Sequence, residues 1–454
     1  MSIREVQTIE ATATTPLLLR PAAFRSVTLR NRIVVSPMAM YSAHDCFADD
    51  FHLVHLGRFS LGGAGLVFIE ATAVTEQGRI TAGCNGLWLD AQIPQLERIT
   101  DFLHRFGSAA GVQLAHSGWK GSTRRPWHGG TRLDDEDVKL RGEHPWPTVS
   151  VGDESFDGEV PGPAALAESD LSALVESYRA ATRRVVAAGF DVIDVHAAHG
   201  YLLHSFLSPL SNKRDDRFGG SIENRMRFPL AVVEAVRAEW PADKPLFVRI
   251  SSVDGVDVGW TIEDSVTFAK ALAARGVDVV DCSSGGMKLP RVKSLVARNP
   301  GFQVPFAAKI RKEAQVATMA VGLILEPQQA EAILQSGEAD LIALAREMLA
   351  NPNFRRADGA RTRRRRRVGS LVGSISLLAG AARQDPQARR ASVEITTPDP
   401  PTHQTTTCSR VTMIGRWPSG RKFGSSARVA TYSGVVTPRF MSAVEANQVI
   451  ASPS

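Results

Sequence analysis

The chain has 454 residues, 43% of them hydrophobic and 22% charged, which is ordinary globular material with enough apolar content for a sizeable core. No run of 18 apolar residues occurs and the opening MSIREVQTIEATATTPLLLR lacks a charged-then-apolar leader, so a membrane span is argued against and a soluble, cytoplasmic protein is expected. Four scattered cysteines (Cys46, Cys84, Cys282, Cys408) without a CxxC pair argue against a disulfide framework and against a zinc or iron–sulfur cluster.

In chain order, short β-branched runs alternate with longer amphipathic ones. The runs IVVS (33–36), GLVFIEA (65–71), GVQLAH (111–116), DVIDVH (191–196), PLFVRIS (245–251), DVVDCSS (278–284), VATMAVG (316–322) and DLIALA (340–345) read as strands. Between them, 169–189 and 261–276 read as helices; the second opens on Thr261 with acids in its first turn and stops at Gly276. Eight strands with interposed helices predict an α/β protein, a (β/α)8 TIM barrel over residues 1–354. A doubly wound open sheet is the alternative, weakened because no GxGxxG follows the first strand.

The net charge of +6 hides two unlike regions. From Arg355 onward, 16 Arg and one Lys stand against three Asp and two Glu, so the tail carries +12 and the first 354 residues −6. The tail loses hydrophobic periodicity and runs through RTRRRRR (361–367) and ITTPDPPTHQTTT (395–407), so residues 355–454 read as an Arg-rich, low-complexity, disordered tail. The Arg run has no interleaved aromatics, which leaves a nucleic-acid role unsupported.

The chemistry concentrates in DVIDVHAAHGYLLHSFLSPLSNKRDDRFGG (191–220). A buried strand there ends in His196, His199 and Tyr201, and the small residues Ala197, Ala198 and Gly200 allow a tight exit. Two imidazoles can donate to an oxygen that gains negative charge, and a phenol can hand over a proton. HxxH can equally be a satisfied turn or two metal ligands, although HExxH is absent. In a barrel, strand ends gather at one mouth. Ser36, Pro37 and Tyr41 follow the first strand, Ala71 ends the second, Gln113 and Lys120 lie on or after the third, and Arg249 lies near the end of the fifth. Arg249 can be a salt-bridged structural arginine or a ligand for an anionic ring.

From Leu29 to Phe354 the chain resembles the Old Yellow Enzyme family of flavin-dependent ene-reductases, in particular its bacterial xenobiotic-reductase-like class. The motifs LRNRIVVSPMAMYS (29–42), GLVFIEATAV (65–74), GVQLAHSGWK (111–120), HAAHGYLLHSFLSPLSNKRDDRFGGSIENRMRF (196–228), PLFVRIS (245–251), VVDCSSGG (279–286), MAVGLI (319–324) and DLIALAREMLANPNF (340–354) carry it in order. The resemblance implies non-covalent FMN, with NADPH or NADH as reductant, and a small-molecule substrate. FMN is implied over FAD because no dinucleotide fingerprint appears. The implied cofactor residues are Ser36, Pro37, Met38, Ala39, Ala71, Gln113, Arg249, Gly322, Ala345 and Arg346. His196 and His199 would hold the substrate oxygen, Tyr201 would give the proton, and Tyr41 and Lys120 would shape the substrate side.

Three departures stand out. The class usually reads SPMCMY where this chain has SPMAMY, so Ala39 replaces a cysteine that can donate to the flavin. Relatives often have Gly at the position of Ala345. Their C-terminal helix, which reaches a neighbouring subunit in a homo-oligomer, is not recognisable here, so a frame-shifted or altered ending is expected. A weakly catalytic flavin-binding protein that acts through its basic tail is the alternative function, with Ala39 and the lost ending in its favour.

Overall fold

The computed structural model describes residues 15–154, 162–287 and 296–356, and a ribbon further on. Eight parallel strands close into a barrel: β1 (Ile33–Val35), β2 (Leu66–Ala73), β3 (Ala109–Ala115), β4 (Val192–Ala197), β5 (Leu246–Ser251), β6 (Val279–Ser283), β7 (Ala317–Ala320) and β8 (Leu341–Leu344). Closure comes from β8 on β1, where Ile342, Ala343 and Leu344 face Ile33, Val34 and Val35. Each strand overlaps one of the eight runs expected from sequence. Helices α1 (Asp50–Leu61), α2 (Ile93–Arg105), α3 (Glu168–Ala187), α4 (Ile222–Glu239), α5 (Ile262–Ala273), α6 (Val304–Ala314), α7 (Pro327–Gln335) and α8 (Arg346–Ala350) follow the strands in turn. The open-sheet alternative is thereby set aside.

Local chemistry explains the boundaries. Thr261 caps α5 by accepting from the Asp264 N–H at 3.1 Å, and Gly276 stops the segment in a left-handed conformation (φ +79°). The period of two sorts each strand into outward and inward residues. Outward residues such as Ile33, Val35, Ile193, Val195 and Val248 join the large core under the helices. Inward residues at the lower end, Val34, Leu66, Phe68, Val192, Phe247, Val279, Met319 and Leu341, form a separate core. A hairpin, Ala22–Phe24 with Val27–Leu29, contributes Ala22 and Leu29 to that core. Two residues further along the same inward faces come Asp194, Arg249 and Asp281, and two further again His196, Ser251 and Ser283. The barrel interior therefore passes from apolar to charged to hydrogen-bonding as it approaches its C-terminal mouth.

The chain divides into two compact units, one through Arg361 and one from Thr362. The expected disordered tail falls largely outside the described residues. The part that is described is an antiparallel ribbon, Arg410–Arg416 paired with Lys422–Arg428. Among the described residues, no helix is long and apolar enough to cross a membrane.

Asn31 offers a test of how the first strand is seated. It is buried, donates from Nδ2 to Gly63 O (2.8 Å) and accepts from the Ile33 N–H (3.1 Å), tying the start of β1 to the turn before β2. Asn31→Ala leaves both backbone groups unpaired and is expected to cost about 2–4 kcal/mol in urea unfolding. A loss under about 0.5 kcal/mol would show that water or a shifted loop replaces the side chain.

Candidate active site

The exit from β4 is a turn in which side chains satisfy the backbone. The Ala198 N–H donates to His196 Nδ1 at 3.2 Å, so a neutral His196 carries its proton on Nε2. His199 has φ +61° and Gly200 φ +73°, two left-handed residues in succession. The His199 N–H donates to Ser251 Oγ (2.9 Å), which donates onward to Gly285 O (2.6 Å). The rings of His196 and His199 lie 5.1 Å apart, nearly perpendicular, and that of Tyr201 lies 5.0 Å from His196. The expected trio is thus brought together.

The two imidazoles differ in what they have left to offer. His199 Nε2 is 2.6 Å from Ser283 Oγ, whereas the Nε2–H of His196 is the end left for an incoming group. Burial, reinforced by the charge of Arg249, pushes both histidines well below their ordinary range, so both are neutral donors at working pH. Burial, then Tyr41 and Cys84, push the Tyr201 phenol upward, which keeps it protonated. Among the described residues its hydroxyl has no hydrogen-bond partner; it borders a crevice lined by Ala71, Ala115, Ser117 and Cys84.

Lys120, expected to shape the substrate side, reaches the backbone of this turn. Its Nζ donates to His199 O (2.6 Å) and to Gly286 O, bridging the loops after β4 and β6. A Cβ on Gly286 would lie 2.2 Å from His199 Cα, so only glycine allows this approach. Tyr41 (φ +52°) stacks edge-on to Trp127 at 6.4 Å, and its carbonyl accepts from Arg125 Nε at 2.9 Å.

Below the turn lies the charged layer. Arg249 Nη1 donates to Ser36 Oγ (3.0 Å), its Nε is 3.3 Å from Asp281, and Gln113 Nε2 donates to Asp194 at 2.7 Å. Arg249 is therefore paired with a buried carboxylate and also reaches the end of β1. Burial and the neighbouring Asp281 raise Asp194 well above the usual carboxylate range, against Arg249 and Gln113. Burial raises Asp281 too, opposed by Arg249. One guanidinium thus faces two buried carboxyl groups, both pushed upward by burial.

On the opposite side of the mouth, Gly322 follows β7 with φ +111°, and Ala345 begins α8 with φ −113°. The negative φ at Ala345 is one that alanine adopts. Pro37, Met38 and Ala39 are half-buried on the segment after β1, and Arg346 is exposed. Among the described residues no group of three or more His, Cys, Asp or Glu could hold a metal ion.

Sequence reasoning passed over Glu70, which the fold places beside these residues. β2 carries a bulge at Glu70: Ile69 pairs with Val112 and Ala71 with Gln113, which leaves Glu70 unpaired between them. Its buried carboxyl accepts from the Met40 N–H at 2.9 Å, holding the segment that carries Ala39 and Tyr41. Burial raises it to about 8 despite the N–H groups of Met40 and Tyr41. The only signal in the sequence was an acid inside an apolar strand.

Residues 17–361 match the NADH:flavin oxidoreductase / NADH oxidase family. The chain is 42% identical over 342 residues to an NADPH dehydrogenase of Bacillus velezensis, covering 75% of this chain and 93% of that one. Among solved structures, morphinone reductase is similar with a TM-score of 0.61 and 26% identity, over 76% of this chain and 89% of that one. An old yellow enzyme homologue from Zymomonas mobilis aligns with a TM-score of 0.60 and 25% identity, over 75% of this chain and 92% of that one. The chain thus belongs to the NADH:flavin oxidoreductase / NADH oxidase family, of Old Yellow Enzyme type, and is an FMN-dependent oxidoreductase with a nicotinamide as reductant.

Proposed function

We propose that this enzyme reduces the C=C bond of activated alkenes, α,β-unsaturated carbonyl or nitro compounds, at the expense of NADPH. The observation that carries the reading is the pairing of a neutral imidazole donor, His196 Nε2–H, with a protonated phenol, Tyr201, five ångströms away over the barrel mouth. NADPH is favoured over NADH by the name of the Bacillus relative.

The residues present fit FMN. Gln113 spends its Nε2 on Asp194 and so keeps Oε1 to accept from a ring N–H, while Arg249 provides a buried cation against a ring that becomes anionic on reduction. Ser36, Pro37, Met38, Ala39 and Ala71 would line the ring, and Gly322, Ala345 and Arg346 would receive the phosphate. Ala39 offers only a methyl group where a thiol could donate, so the potential of the bound flavin differs from that of cysteine-bearing relatives. FMN, when bound, would supply the hydride-transfer chemistry that links the nicotinamide to the alkene's β-carbon.

His196 donates to the carbonyl or nitro oxygen, where negative charge develops, and His199 joins it by exchanging Ser283 for that oxygen. Both enter neutral and act as N–H donors, which leaves Tyr201 as the source of the proton. Tyr201 gives its proton to the α-carbon, completing addition of H− and H+ across the double bond. Lys120 keeps the turn in register through the His199 carbonyl, and Tyr41 borders the substrate.

Tyr201→Phe is expected to leave reduction of the enzyme by NADPH nearly intact and to slow reoxidation by 2-cyclohexen-1-one roughly 10²-fold, the scale of losing a positioned acid. Stopped-flow absorbance separates the two halves. Equal slowing of both would assign Tyr201 to structure instead.

Glu70 gives a pH prediction. Below about 8 it is neutral; above, a carboxylate faces the Met40 and Tyr41 amides. Ligand affinity at the Tyr41 side should therefore change through one ionisation near pH 8, and Glu70→Gln should abolish that step. An unchanged step in the variant would assign it to another group.

A further inference from the structure

The mechanism leaves one buried acid–base pair without a task. His204, on the short helix Leu202–Leu207, and Asp254, in the loop after β5, are both wholly buried, and His204 Nε2 lies 3.1 Å from Asp254 Oδ1. On the other side of the imidazole, Nδ1 accepts the Gly200 N–H at 2.8 Å. Asp254 is itself held: Oδ2 accepts from Ser208 Oγ (2.6 Å) and from the Trp260 N–H (2.7 Å), and its own N–H donates to Trp260 O (2.9 Å). Burial works against the Asp254 carboxylate, but the facing His204 ring, Ser208 and the Trp260 N–H together lower it below its ordinary range. A ring between an N–H donor and a carboxylate has one satisfactory neutral tautomer, with its proton on Nε2.

Gly200 is the residue on which the turn depends. It follows His199 in a left-handed conformation, and a Cβ there would meet Gly286 O at 2.6 Å and Lys120 Nζ at 2.8 Å. Its N–H points to His204 and to no other partner among the described residues. Left unpaired in this buried place it would favour a different backbone, and the directions of His199 and Tyr201 on either side would change with it.

We propose that His204, oriented by Asp254, is a positioning residue for the oxygen-binding turn: it takes the Gly200 N–H and so sets the left-handed pair that aims His199 and Tyr201 at the substrate. The inference rests on the reading of that turn as the substrate-oxygen site. It links the β4 exit to the β5 loop, so distant changes around Trp260 reach the active site through one imidazole.

The two ends of the ring can be separated by substitution. His204→Asn places an amide oxygen near the position of Nδ1 and keeps the acceptor for Gly200; His204→Gln places an amide nitrogen near the position of Nε2, keeps the link to Asp254 and leaves Gly200 unpaired. FMN-loaded wild type and variants would be titrated with 4-chlorophenol, whose phenolate stacked on the flavin gives a long-wavelength charge-transfer band. His204→Asn should bind within about threefold of wild type and His204→Gln about tenfold or more weakly, with FMN affinity alike in all three. Equal losses in both variants, or full binding by His204→Gln, would overturn the proposal. Spectra of wild type labelled with 15N-histidine give a reading that needs no variant: the neutral ring of His204 should be the Nε2–H tautomer, and an Nδ1–H signal would overturn it. A wild-type protein with bound FMN and no phenol band would instead remove the oxygen-site reading, and this inference with it.

Discussion

Two carboxylic acids and one guanidinium in the barrel interior are the constraint on which the site is built. Asp194, Asp281 and Arg249 project inward from β4, β6 and β5, one layer above Val192, Val279 and Phe247 and one below His196, Ser283 and Ser251. Burying charge without a partner would cost several kcal/mol per ion. Arg249 against Asp281, with Asp194 pushed upward by burial and bonded to Gln113, offsets that cost. The same arrangement orients Gln113 and Arg249, the two groups proposed for the pyrimidine edge of the flavin. Stability of the interior and presentation of the cofactor site are therefore one requirement.

Above that layer the fold tolerates strain and holds it in place. A left-handed non-glycine residue costs about 1–2 kcal/mol, and His199 adopts that conformation beside Gly200. Ser251, Lys120 and His204 each take one backbone group of the pair, and Gly286 leaves room for the approach. The strained turn is thus determined by the end of β5, by the segment after β3 and by the short helix that follows it. Such over-determination places two imidazoles and a phenol with ring centres 5.0–5.1 Å apart.

The barrel was legible because its physical cause is periodic. Runs such as DVIDVH and PLFVRIS alternate inward and outward residues, and the spacing between them admits one helix each. That His196, His199 and Tyr201 come together was legible because all three lie at or just after the end of one buried strand. What could not be read was partner choice. Nothing in the sequence tells that Lys120 bonds two carbonyls instead of facing solvent, or that Ser283 takes the His199 ring. Glu70 depends on a bulge, which moves a residue between faces without a sequence marker. His204 stood five residues after His199 in the same motif, yet its role appears only when Asp254, fifty residues later, closes on it.

The central claim is that the mouth of this barrel hands hydride and proton to an activated alkene. The most direct measurement is anaerobic: enzyme reduced with one equivalent of NADPH is mixed with 2-cyclohexen-1-one, flavin absorbance is followed, and the product is analysed. The account predicts prompt reoxidation with one cyclohexanone formed per flavin. A flavin that stays reduced until oxygen is admitted, with the enone recovered unchanged, would contradict it.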